Sequence, residues 1–201
     1  RLRAQALRLQ GSGLLPMAGF GECLQAELIE PLPDLLQRYQ QLLVLWPTPL
    51  QSALPVTFEH EGLLLEGWVS GLHQRGDGNL LSVTTMANAI GGARARKWHR
   101  LTRAWVNHLA ACAVGLPLTT AIVASDDTLM LKPLQQSSAQ EVLGNLLLAW
   151  QSGMARPLPV AVKTAFAWLG QDDPDKALAA GRKAYEGDGI TFDGERRESI
   201  A

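Results

Sequence analysis

"KWHRLTRAWVNHLAACAVG", residues 97–115, decides how the rest of this chain is read. It holds two histidines, a cysteine, two tryptophans and a cluster of positive charge. Three readings compete: a metal-binding helix, a nucleic-acid-binding helix, and a core helix with one wet face. Trp98, Leu101, Trp105, Leu109 and Cys112 recur at spacings of three and four, which is one apolar helical stripe. Free cysteine is among the most buried residue types. The spacing therefore predicts a helix over 97–115 with Trp98, Trp105 and Cys112 in the core. Arg96, Arg100, Arg103 and Asn107 fall on the opposite, wet face. A metal would need two ligands beyond His108 and Cys112. His99 lies nine residues from His108, and the sequence has no CxxC or HxxxH pair to complete a tetrahedral site. His108 is expected at the edge of the buried face.

Toward the N-terminus, "VTFEHEGLLLEGWVSGLHQ" changes the period from helical to alternating. Val56, Phe58 and His60 share one face, Glu61-Gly62 is a hairpin turn signal, and Leu63, Leu65, Gly67 and Val69 alternate on the return strand. "RGDG" at 75–78 is a second turn and "NLLSVTTM" a third strand, giving an expected run of three antiparallel strands. Before them, residues 11–21 are turn-rich and "ECLQAELIE" reads as helix, broken by Pro31 and Pro33. Asp34 is placed to cap the next helix, "LLQRYQQLLVLW", which Pro47 and Pro49 end. After Gly115, "TTAIVA" and "TLMLKPL" make a second hairpin around Asp126-Asp127. Ser138 with Glu141 has the spacing of a capping box, opening a helix to about Gln151 that Gly153 would stop. Asp173-Pro174 opens a last helix ending near Gly187. This order predicts an α/β (α+β) fold, a mixed or antiparallel sheet with flanking helices.

The totals narrow the function. A chain of 201 residues, 47% hydrophobic and 18% charged, can bury a substantial core, and its low charge fraction suits a surface partly covered by partners. The formal net charge of −1 gives no global field to attract nucleic acid, so DNA contact must come from a local patch. Two distant cysteines make no disulfide framework and fit a reducing, cytoplasmic setting. No apolar run approaches the roughly 18 residues of a membrane span. The chain starts with Arg inside a helical pattern, as a fragment of a longer protein would.

The local patch is present. Arg94, Arg96, Lys97, Arg100 and Arg103 put five positive charges within ten residues, with no acid between them. Such a cluster suits phosphate or an acidic partner, against the plainer reading of a solvated helix face. Other candidates are weaker. "GSG" at 11–13 lacks the Lys-Ser/Thr of a phosphate loop, and "GWVSG" sits inside a hairpin strand rather than on a strand-to-helix elbow. Asp126-Asp127 and Asp172-Asp173 read as turn and cap residues rather than paired catalytic acids.

Four stretches then follow one another with the spacing of a known family: "GLLPMAGFGE", "LEGWVSGL", "RLTRAWVNHLAACAVGLPLTTAIVASDDTLMLKPL" and "SGMARPLPVAVKTAFAWL". The set resembles RecC, the gamma subunit family of exodeoxyribonuclease V, the RecBCD helicase–nuclease. It covers most of residues 11–187, while the tail "GERRESIA" departs from the family's ending and the long helicase-like N-terminal region lies outside these residues. The resemblance implies a single C-terminal domain: a helical lead-in over 1–50, a core over 54–187 resembling a degenerate PD-(D/E)xK nuclease, and a truncated or diverged tail over 188–201. It implies a part in splitting duplex DNA and channelling the single strands. RecB-like and RecD-like subunits would be partners alongside DNA, and no membrane is involved. ATP and Mg²⁺ belong to the partner subunits, and this domain is expected to need no cofactor of its own.

An active nuclease of that class needs an Asp on the second strand and an Asp/Glu-x-Lys on the third, holding Mg²⁺ beside the attacking water. Here "LLLEGWVSG" has Val69 and Ser70 where the acid is expected, and "NLLSVTTM" has neither acid nor lysine. No catalytic and no metal-binding residue is expected. The lead expectation is a non-catalytic DNA-handling and subunit-docking domain in recombinational double-strand break repair. The rivals are a small metal-dependent nuclease using Glu59, Glu61 and Glu66 with Lys97, and a pure interaction module without DNA contact.

Overall fold

In the computed structural model, which describes residues 2–14, 16, 18–92, 96–156, 158, 161–187 and 194–198, the chain opens with helices α1 (Leu2–Gly11), α2 (Ala18–Ile29) and α3 (Leu32–Leu45). Asp34 does not cap α3. Pro31 occupies the cap with no side-chain bond, Pro33 fits the first turn because its missing N–H has no partner there in any case, and Asp34 adds negative charge to that turn. The chain divides into two compact units, 1–96 with 104–143, and 97–103 with 144–201.

The first unit carries the strands β1 (Thr48–Pro49), β2 (Leu54–His60), β3 (Leu63–Val69), β4 (Leu72–Gln74) and β5 (Leu80–Met86). The turn between β2 and β3 places Glu61 at φ 48° and Gly62 at φ 79°, both left-handed, as a tight two-residue hairpin requires. The expected three-strand meander does not form. β2 and β3 make a two-stranded sheet of their own, and β5 pairs instead with β4. Gly71, at φ 66°, sits directly between β3 and β4, where the chain leaves one sheet and enters the other. β1 and β4 are short enough to have given no alternating signal.

The stretch at 97–115 folds as a 3-10 turn, Trp98–Arg100, followed by α4 (Thr102–Ala113). Trp98 therefore leaves the expected stripe and is 46% exposed, because a 3-10 turn advances three residues per turn and shifts the helical phase. Leu101, Leu109 and Cys112 are buried as the spacing predicts, and Trp105 is half-buried. Gly115, at φ 81°, closes α4. Its N–H donates to Cys112 and that of Leu116 to Ala111, satisfying carbonyls that the helix end would orphan.

α4 leads into β6 (Leu118–Ala124), which runs parallel to β5 along its whole length, and β7 (Thr128–Leu131) returns antiparallel. The five-stranded sheet has the order β1-β4-β5-β6-β7, so it is mixed. β6 is buried at nearly every position, as a central strand covered on both faces must be. One core cluster joins Leu109, Cys112, Ala139 and Leu143 to Phe58 and Leu65 of the hairpin. A second gathers Trp46, Leu81 and Ala121, with Leu42 of α3 packed against it.

Helix α5 (Gln136–Ala155) starts two residues before the expected capping box, so Ser138 and Glu141 lie inside it. Gln136 and Gln140 instead reach back to the Ala113 carbonyl at the end of α4. Gly153 does not stop α5, since one glycine costs a helix only about 1 kcal/mol. In the second unit, α6 (Val162–Leu169), a helix that the sequence expectations do not include, packs on α7 (Pro174–Glu186). Gly181 makes that approach close: a Cβ there would stand 3.3 Å from the Trp168 ring. Asp173 caps α7 by accepting the Lys176 N–H, and Gly187 ends it, both as expected. The short α8 (Glu195–Glu198) follows. The rest of the 188–201 tail, and Pro157 and Pro159 of the "ARPLPV" stretch, lie outside the described residues.

Candidate nucleic-acid and partner interface

The five basic residues singled out from the sequence do not act as one set. Arg94 lies outside the described residues. Arg96 is not on a wet face. Its side chain is 8% exposed and its Nη1 donates to Asp127 Oδ2 at 2.9 Å. The cause is the β6–β7 turn, whose two acids both reach toward the strand-to-helix connection. Asp126 accepts the N–H groups of Ile90 and Gly91, each at 2.8 Å. Arg38 of α3 braces the same turn through the Ser125 carbonyl. Asp126-Asp127 is thus a structural clamp, in line with its reading as turn residues.

Lys97, Arg100 and Arg103 belong to the second unit. Lys97 and Arg103 are exposed and Arg100 is half-buried. Burial lowers the pKa of His99 first, and the positive charges of Arg100, Lys163 and Lys97 lower it further, against an opposing pull from Glu195. Lys163 of α6 is a residue the sequence reading missed, because sixty positions separate it from the basic run.

Glu195 ties α8 to the start of α6. Its carboxylate accepts the Lys163 N–H at 3.1 Å, the Thr164 N–H at 2.9 Å and the Thr164 hydroxyl at 3.0 Å. Burial pushes this carboxyl up, but the hydrogen bonds to it outweigh burial and hold its pKa below the usual value.

In the first unit, a cavity of about 360 Å³ lies among β3, β5, β6 and α4. Glu66 is the one acidic residue on its lining, which also includes Ser70, Ser82, Thr84, Asn107, His108 and Thr120, and no lysine or arginine. His108, expected at the edge of the core, is fully buried. Its Nε2 lies 3.0 Å from the Lys132 carbonyl, which can only accept, so Nε2 carries the proton and Nδ1 accepts from the Thr120 hydroxyl at 3.0 Å. Burial lowers its pKa, only partly opposed by the bond to Lys132. A neutral imidazole with both nitrogens engaged has no lone pair left for a metal. Cys112 lies 3.7 Å from His108, and burial pushes its thiol up, away from the reactive thiolate.

The sequence profile of the RecC C-terminal domain matches residues 1–173. The chain belongs to the RecC C-terminal domain family. No curated protein matches it. Family membership carries a role in the RecBCD assembly, exodeoxyribonuclease V, and hence in DNA repair and recombination. The family also implies a complex with RecB, RecD and DNA. No helix among the described residues is long and apolar enough to cross a membrane.

A nuclease acid set in this RecC-family chain would fall on β3 and β5. β3 and β5, the strands expected to carry it side by side, lie in different sheets. Glu66 stands on β3 opposite Thr57, while Asp77 in the 75–78 turn is held by Arg75 and by the Asn79 N–H. The contact with Arg75, first among its causes, lowers the Asp77 pKa strongly. Glu59 lies on β2 and Glu61 in the hairpin turn, all in the first unit, whereas Lys97 belongs to the second. Among the described residues, no three His, Cys, Asp or Glu side chains gather closely enough to hold a metal ion.

Proposed function

We propose that this chain is a non-catalytic domain of the exodeoxyribonuclease V gamma subunit that handles DNA and docks a neighbouring subunit. The observation that carries the DNA part is the exposure of Lys97 and Arg103, with the half-buried Arg100 between them, within one short stretch of the second unit. Arginine and lysine grouped in this way suit a phosphate backbone, which is contacted through charge rather than base sequence. Two observations support the docking part. α5 exposes Leu146, Trp150 and Met154 at a spacing of four, and the β2–β3 hairpin exposes Leu64 and Trp68. Exposed apolar groups at such spacing suit burial by another subunit.

The placement of β3, which carries Glu66, and β5 in different sheets supports a scaffold without cleavage chemistry. One carboxylate binds Mg²⁺ weakly, because the hydrated ion gives up water reluctantly. A module that contacts only protein is the second reading, favoured by the engagement of Arg96 with Asp127. The experiment that separates them reconstitutes the RecBCD-type complex with wild-type chain or with Lys97→Glu and Arg103→Glu together. The DNA-handling reading expects normal assembly with weakened binding to a DNA end. Normal assembly with unchanged DNA binding would leave only the protein-contact reading.

A further inference from the structure

The β2–β3 hairpin presents two faces of opposite character. Its inner face sends Val56, Phe58 and Leu65 toward the core. Its outer face is formed by Pro55, Thr57 and Glu59 opposite Trp68, Glu66 and Leu64. Trp68 is 73% exposed and Leu64 58% exposed. Both side chains are large and apolar, and they stand at the two ends of β3 with Glu66 between them. Four residue steps along the strand separate them by roughly 13 Å, at the usual rise per residue.

The charge on this hairpin has one sign. Residues 54–74 contain Glu59, Glu61 and Glu66 and no lysine or arginine. Glu59 faces Leu64 and Glu66 faces Thr57, so the two acids are diagonal neighbours on one face. Among the described residues none of the three makes an ion pair. Beside β2, a groove of about 610 Å³ is lined by Phe58, Glu59, His60, Gln140 and Glu141, so a fourth carboxylate borders the edge of the hairpin. Like charges held this close repel, and a cation from outside would relieve that repulsion.

We infer that the outer face of this hairpin docks a basic polypeptide segment with an apolar side, contributed by another subunit of the complex. Its lysine or arginine side chains pair with Glu59 and Glu66, while its apolar side covers Trp68 and Leu64. Tryptophan is among the residue types enriched at binding anchors. DNA is disfavoured here, since a surface of three carboxylates repels phosphate. The inference rests on the docking reading above, and it names the surface and the chemistry of what covers it.

The test presents the full chain to purified RecB-like and RecD-like subunits, separately and together. The variants are Glu59→Lys with Glu66→Lys, and Leu64→Ser with Trp68→Ser. Either pair is expected to weaken binding to one subunit about tenfold or more, with the charge-reversal effect shrinking at high salt. Amide hydrogen exchange in residues 54–69 of the wild-type chain is expected to slow in the complex, which decides the matter even if a variant folds poorly. Wild-type binding by both variant pairs, with unchanged exchange in 54–69, overturns the inference and leaves the docking reading intact. Failure of the wild-type chain to bind either subunit removes the docking reading, and the inference with it. Protection of 54–69 by single-stranded DNA alone would overturn the assignment to a protein partner.

Discussion

Arg96 and Asp127 form a 2.9 Å ion pair that fastens the segment before α4 to the β6–β7 turn. The guanidinium is nearly buried while the carboxylate remains partly in water, so solvent screens the pair from one side only. Asp127→Ala is expected to cost about 1–2 kcal/mol, since it leaves a nearly buried cation short of its charged acceptor. Chemical denaturation measures this. A loss indistinguishable from zero would mean that Arg96 turns to water and rejoins the exposed basic run.

His108 makes stability depend on pH. Its folded-state pKa lies below the unfolded value of 6.5, so the unfolded chain binds the proton more readily. The stabilisation is complete above the unfolded pKa and is lost as pH falls through it toward the folded one. Unfolding free energy is expected to fall as pH drops through about 6.5, with His99 adding a smaller part because it is less buried. In His108→Leu the protein is less stable throughout, but the slope below pH 6.5 flattens. An unchanged slope would place the titration elsewhere.

Trp105 and Trp98 are seven residues apart and should differ sharply. Trp105 packs against the cluster of Leu109, Cys112 and Leu143 and stacks on His108 with ring centres 5.8 Å apart. Trp105→Ala is expected to cost about 3 kcal/mol, the low end for a core tryptophan because the ring is half-buried. Trp98→Ala is expected to cost under about 0.5 kcal/mol, as exposed positions do. Equal losses would put both rings on one buried stripe and remove the phase shift at the 3-10 turn.

That contrast shows what sequence could reveal. The 3.6-residue period fixed Leu101, Leu109 and Cys112 in the core, and Glu61-Gly62 and Asp126-Asp127 marked both hairpins. Asp173 and Gly187 bounded α7 because each makes a local backbone contact. What stayed hidden was set by distant partners. Nothing near Arg96 announces Asp127, and nothing near Lys97 announces Lys163. The split of β2–β3 from the main sheet falls at the left-handed Gly71, in a stretch that otherwise reads as a continuous meander. The candidate basic run was visible as composition, but which of its charges face water depended on the β6–β7 turn.

Cleavage is not expected of this chain. With highly purified protein, linear single- and double-stranded DNA should stay intact in Mg²⁺ or Mn²⁺. Metal-dependent cutting abolished by Glu66→Ala or Asp77→Ala would show that a displaced acid set works after all.

The most direct measurement is the affinity of the reconstituted complex for a labelled DNA end across a range of salt concentrations. If Lys97 and Arg103 contact phosphate, the Lys97→Glu, Arg103→Glu variant binds more weakly, and its log–log salt slope is shallower by roughly 2, about one unit per lost phosphate contact. An affinity and slope identical to wild type would contradict DNA handling by this domain.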